Sequence, residues 1–181
     1  MIRSPISDSS VVRLLRGSIK MKELCNGEEK ELFKILLNSW FEYREYCKEQ
    51  KIQYAKFGIN TQVKLSSFVE CEKGDKIFDE YARLSVDFLI FDIETMLPLC
   101  VIEYFGGKHY KENTDENRIE NDGIEIRDLK KLMITYKTDI DLEIICDDEL
   151  HNEEQLKQRL FSLFDYLQEK IDKLKQTQNS L

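Results

Sequence analysis

Two short apolar runs constrain this chain more than any other feature. Leu84 to Phe91 reads L-S-V-D-F-L-I-F, and Pro98 to Phe105 reads P-L-C-V-I-E-Y-F. Both are rich in β-branched and aromatic residues, and Asp92 to Leu97 between them supplies a turn. The pair predicts an antiparallel hairpin. Each run also carries one acid within its apolar stretch: Asp87 between Val86 and Phe88, and Glu103 between Ile102 and Tyr104.

A hairpin centred on Thr95 sets residue 87 opposite residue 103. Directly opposed residues of an antiparallel pair share a face, with Cβ atoms about 4.5–5.5 Å apart. Two carboxylates so placed repel each other. A proton held by one of them, a basic neighbour or a divalent cation would each remove the repulsion. An edge hairpin with its polar face in water would also accommodate them. Asp92 and Glu94 read as turn residues.

Around the hairpin the pattern alternates between helix and strand. A helix is expected from a cap at Asn26 to about Lys48. Its apolar residues are Leu32, Phe33, Ile35, Leu36, Leu37, Trp40, Phe41 and Tyr43, and at 100° per residue their mean direction falls close to Glu29. Glu29 is then either a paired acid on the buried stripe or a solvated acid in the first turn, favoured by the helix dipole. Gln62 to Leu65 reads as a strand, with a frayed continuation over Phe68 to Cys71, and the charged stretch from Glu72 to Ala82 as a loop. A helix follows around Gly123 to Tyr136, with Ile126, Leu129, Leu132 and Met133 along one side. Ile140 to Cys146 reads as a strand and Glu153 to Gln176 as a long helix. Leu160, Phe164, Leu167, Ile171 and Leu174 form a seam on that helix, expected to pack on the domain's own sheet rather than in a zipper between two copies. The expected state is a monomer or weak homodimer.

The chain's 181 residues suit one core, taken as residues 23–181 behind a basic arm over residues 1–22. No stretch of about 18 apolar residues occurs, so no membrane partner is expected. Five cysteines with no C-x-x-C pair argue against a disulfide framework and a zinc knuckle, and so for a reducing, cytoplasmic setting; Cys100 and Cys146, in apolar strands, read as core. The net charge of −8 is unevenly spread. Residues 1–86 carry 15 basic and 13 acidic side chains, whereas residues 87–181 carry 12 and 22. Phosphate contacts to a nucleic acid would therefore come largely from the first half.

The spacing of Asp87 and Glu103 within a strand-turn-strand unit resembles the PD-(D/E)XK nuclease superfamily. The segment V-D-F-L-I-F-D-I-E-T-M-L-P-L-C-V-I-E-Y-F-G-G-K-H-Y resembles the branch of very-short-patch-repair-type endonucleases, with its I-E-x-x-G-x-x-H pattern. The N-G-E-E-K-E-L-F helix and Q-V-K-L strand stand in that branch's order, and Arg118 and Asp122 resemble its R-x-x-x-D element. The resemblance spans about residues 25 to 146. It implies an α/β restriction-endonuclease-like core: a central mixed sheet with an antiparallel hairpin, flanking helices and a long C-terminal helix.

By the same resemblance, Asp87 and Glu103 would ligate Mg²⁺ or Mn²⁺, Glu29 would be an additional acid, and His109 a general acid/base or phosphate contact. The implied activity is endonucleolytic hydrolysis of nucleic acid. Phe105 stands two residues after Glu103, where the superfamily usually carries a lysine and this branch often Asp or Gln, so Lys108 from the next turn is the basic group expected to take the role. Phe105 equally suits an alternative: a catalytically inactive nuclease fold acting as a protein-interaction or assembly module, docked through its terminal helices. His151, beside an acidic loop, has no such support.

Overall fold

Strand and helix form where the apolar period changes from two to three and four residues. The computed structural model describes residues 25, 27–70, 84–106, 126–138 and 140–178. The elements are α1 (Gly27–Glu49), β1 (Phe57–Lys64), β2 (Ser85–Asp92), β3 (Pro98–Phe105), α2 (Ile126–Lys137), β4 (Asp141–Cys146), the single turn α3 (Asp147–Leu150) and α4 (Glu153–Gln178). The strands make one four-stranded sheet in the order β1-β2-β3-β4. The first two pairings are antiparallel, and β3 with β4 is parallel, so the sheet is mixed. The expected arm over residues 1–22, the Asn26 cap and the loop over residues 72–82 lie outside the described residues.

The hairpin has the expected centre. Phe88 pairs with Ile102, Leu89 with Val101 and Ile90 with Cys100, and at Phe88 the ladder ends, one step short of Asp87 and Glu103. Near the tip the register slips between Ile90 and Phe91, and Phe91 pairs with Pro98. Asp92 closes the turn as its sequence suggests. It accepts hydrogen bonds from the Glu94 and Thr95 amides at 3.3 and 3.2 Å and from Thr95 Oγ1 at 2.7 Å.

One face of the sheet carries the main core. Phe88, Ile90, Cys100, Ile102 and Tyr104 pack under α1 and α4, which contribute Leu32, Leu36, Trp40, Tyr43, Leu160, Phe164, Leu167 and Ile171. Trp40 sits at its centre, with ring centroids 4.8 Å from Phe57 and 5.3 Å from Phe164. Burying side chains of this size contributes roughly 1.5–3 kcal/mol each. Tyr43 donates to Asp165 at 2.7 Å and so joins α1 to α4. The seam on α4 is thereby occupied within the chain, and Leu174 at its end is 41 % exposed. The other face has a smaller cluster of Leu65, Val86, Leu89, Val101 and Ile140. No helix among the described residues is long and apolar enough to cross a membrane.

Three local expectations are corrected. The first strand begins at Phe57, not at Gln62, because Gly58 and Asn60 lower the apparent β-propensity of a segment that the ladder to β2 nevertheless holds. After Lys64 the chain turns through a 3₁₀ turn, Leu65–Ser67, rather than fraying onward as strand. On α2 Met133, expected on the packed side, is 62 % exposed, whereas Lys131 and Thr135 are buried. Cys100 is buried as expected, Cys146 is only half-buried, and Cys25 and Cys47 are core residues that the sequence did not single out. Cys71 lies outside the described residues.

Gly58 has a steric reason to be glycine. It pairs with Phe91, whose ring lies across it; a Cβ on Gly58 would fall 2.2 Å from Phe91 Cζ. Gly58→Ala is therefore expected to lower unfolding free energy by about 1–3 kcal/mol, the usual cost of overpacking. In a Phe91→Ala background the same change should cost markedly less, as read from urea denaturation of the four proteins.

Candidate active site

Glu103 lies on an inner strand with neighbours β2 and β4, and it is 1 % exposed. A lone carboxylate there would cost several kcal/mol. Lys131 of α2, itself 5 % exposed, reaches across and places Nζ 2.5 Å from Glu103 Oε2. Of the ways to relieve the opposed acids, the structure contains the basic neighbour. The ammonium anchors α2 to the sheet face that carries Leu89 and Val101, opposite α1 and α4.

Asp87 is half-buried and held by neutral donors instead. The Tyr104 amide donates to Oδ2 at 2.9 Å, and Gln62 Nε2 approaches Oδ1 at 3.3 Å. The same Gln62 nitrogen donates to Glu29 Oε2 at 3.0 Å. Glu29 is thus a half-buried, hydrogen-bonded acid on the inward line of α1, while Glu28 is exposed. Gln62 adopts φ 51, the left-handed region, in the middle of β1. Non-glycine residues avoid it at a cost of roughly 1–2 kcal/mol.

Further groups line the same end of the sheet. Cys25 is buried beside Thr61, and its thiol is pushed up by burial, with the charges of Glu29 and Asp87 acting in the same direction. Tyr104 donates to Asp147 at 2.8 Å. Burial raises its phenol, and the hydrogen bond to Asp147 and the nearby Glu28 raise it further. The first turn of α1 comes close here: a Cβ on Gly106 would lie 2.7 Å from the Tyr104 ring and 3.1 Å from Glu28 Oε2.

The candidate constellation therefore has two parts, Glu29–Gln62–Asp87 from α1, β1 and β2, and Glu103–Lys131 from β3 and α2. Its donors to a cation are all oxygen, the set that hard ions take. Among the described residues no three His, Cys, Asp or Glu side chains gather into a group that would hold a metal ion. Lys108, His109, Arg118 and Asp122 lie outside the described residues. His151 is exposed on the surface, its Nε2 3.8 Å from Asp147. Phe105 is 2 % exposed, buried in the sheet.

The sequence matches the family described as proteins of unknown function, DUF2726, over residues 21–137, more than half of the chain. The chain belongs to the DUF2726 family. No curated protein and no solved structure matches it. All five residues of the constellation fall within the DUF2726 span, which ends at the last residue of α2. β4 and α4, which complete the sheet and the core, lie beyond it.

Lys131 and Gln62 are the members that the sequence does not reveal. Lys131 sits in L-K-K-L-M, where a lysine reads as solvated, and nothing local distinguishes it from Lys130. Gln62 reads as a strand residue without a role. A signal exists for Lys131: Glu103 in an apolar strand demands a cation, and α2 is the basic helix that follows.

The buried pair yields a stability prediction. Lys131→Met should destabilise the protein by about 3–5 kcal/mol, because it removes the charge that matches a buried carboxylate. Adding Glu103→Gln should recover much of that loss, giving a strongly non-additive double-mutant cycle in urea unfolding.

Proposed function

We propose that this chain is a metal-dependent endonuclease with a restriction-endonuclease-like core of the PD-(D/E)XK kind, hydrolysing phosphodiester bonds of nucleic acid. The observation that carries the reading is the pair of acids just beyond the β2–β3 ladder, Asp87 tied to Glu29 through Gln62 and Glu103 bound by Lys131. The mixed sheet with its hairpin and flanking helices agrees with the architecture that the hairpin motif resembles.

Asp87 and Glu103 would hold Mg²⁺ or Mn²⁺, with Glu29 as a further acid. Two carboxylates fit such an ion, because Mg²⁺ usually keeps several waters and takes substrate phosphate oxygens for the rest of its shell. A bound ion would supply Lewis acidity and a water of lowered pKa. The chain's own residues do the remainder. The Tyr104 amide and Gln62 fix the direction of the Asp87 carboxylate. Lys131, paired with Glu103, would offer positive charge to an oxygen that gains negative charge in the transition state. This is the contribution that Phe105, a buried phenyl ring, does not make from the neighbouring position.

A second reading rests on the same ion pair. Lys131 neutralises Glu103 without any metal, and Phe105 is inert, as an inactive nuclease fold kept for protein binding would allow. Incubation of the purified chain with supercoiled DNA and with RNA, in Mn²⁺ or Mg²⁺, separates the two. The endonuclease reading expects nicking that EDTA stops and Asp87→Ala reduces at least a hundredfold, a loss of about 2.7 kcal/mol of transition-state stabilisation. Undiminished nicking by the Asp87→Ala protein, or none by the unaltered chain with either ion, removes it and leaves the binding module.

A further inference from the structure

The two inner-strand carboxylates are treated differently, and the difference singles out Gln62. Glu103 is matched by a full positive charge. Asp87 and Glu29 share one neutral amide, with Gln62 Nε2 lying 3.0 Å from Glu29 Oε2 and 3.3 Å from Asp87 Oδ1. A neutral donor orients both carboxylates without itself cancelling their negative charge. A lysine at the same place would cancel one of the charges that attract a cation.

The backbone is bent to achieve this. Thr61 pairs with Phe88 and Val63 with Val86, while Gln62, opposite Asp87 in that register, takes φ 51. A strand residue in the left-handed region interrupts the regular ladder beside Asp87. Unfavourable conformations of this kind persist where the surroundings hold them, and they gather at functional sites.

Resting on the endonuclease reading, we infer that Gln62 is a positioning residue for the cation, its amide holding the Glu29 and Asp87 carboxylates together across α1 and β2. The amide has two ends. Rotation about its terminal bond exchanges the NH₂ that now faces the carboxylates for a carbonyl oxygen, so the same side chain can donate to two acids or turn an oxygen toward a cation. Groups that orient a ligating carboxylate typically matter about 10–100-fold to metal affinity.

The decisive variant is Gln62→Gly, because glycine adopts positive φ readily and so removes the amide without adding backbone strain. Mn²⁺ binding to the unaltered and variant proteins is measured by titration calorimetry, alongside thermal unfolding without metal. The expected result is a melting temperature at or near that of the unaltered chain and a Kd for Mn²⁺ weaker by about 10–100-fold. A Gln62→Gly protein with unchanged Kd overturns this inference and leaves the endonuclease reading standing. No Mn²⁺ binding by the unaltered chain defeats both. If Gln62→Gly fails to fold, Gln62→Leu, which keeps the side chain's bulk and removes both polar ends, takes its place: a weakened Kd supports the inference and an unchanged one overturns it.

Discussion

An acid on an inner strand of a sheet is a problem that the rest of this molecule is arranged to solve. Glu103 sits between two hydrogen-bonded neighbours, in a run that is otherwise apolar, where water cannot solvate it. Its charge is tolerated because α2 delivers Lys131 to it. Lys131 is thereby drawn out of solvent, while Met133 and Tyr136 of the same helix are exposed.

Asp87 is handled by other means. It has a backbone amide on one side and a glutamine on the other, and the glutamine extends the hydrogen bonding to Glu29 on a separate helix. The site is therefore graded in charge. Glu103 is met by an ammonium, and a shared neutral amide bridges Asp87 and Glu29. The aromatic core around Trp40 and Phe164 supplies that rigidity, since it locks α1, which carries Glu29, against the sheet and α4. Local order at the site thus depends on packing about three helical turns further along α1.

The boundaries of the DUF2726 match add to this picture. The matched span contains every residue of the constellation but not β4 or α4, which close the sheet and cover its main core. Arg159 of α4 nonetheless binds Glu143 at 2.5 Å and also joins Glu149, and Lys170 holds Asp141 at 2.6 Å. The parallel strand next to Glu103 is thus held by ion pairs from outside the matched region.

What the sequence determined by itself was local and periodic. The hairpin, its centre, the Asp92 turn and the long helices all follow from alternation and from residues within a few positions of one another. The tertiary structure decided the rest. Phe57 to Thr61 became strand because β2 pairs with it, although Gly58 and Asn60 argue against it locally. Lys131 became part of the site because the helix that carries it packs over Glu103, 28 residues away in the chain. Gln62 became a bridge because an unfavourable φ was held in place by strands and a helix that meet only after folding. Charges and amides find their partners through space, and a one-dimensional pattern records the need for a partner without naming it.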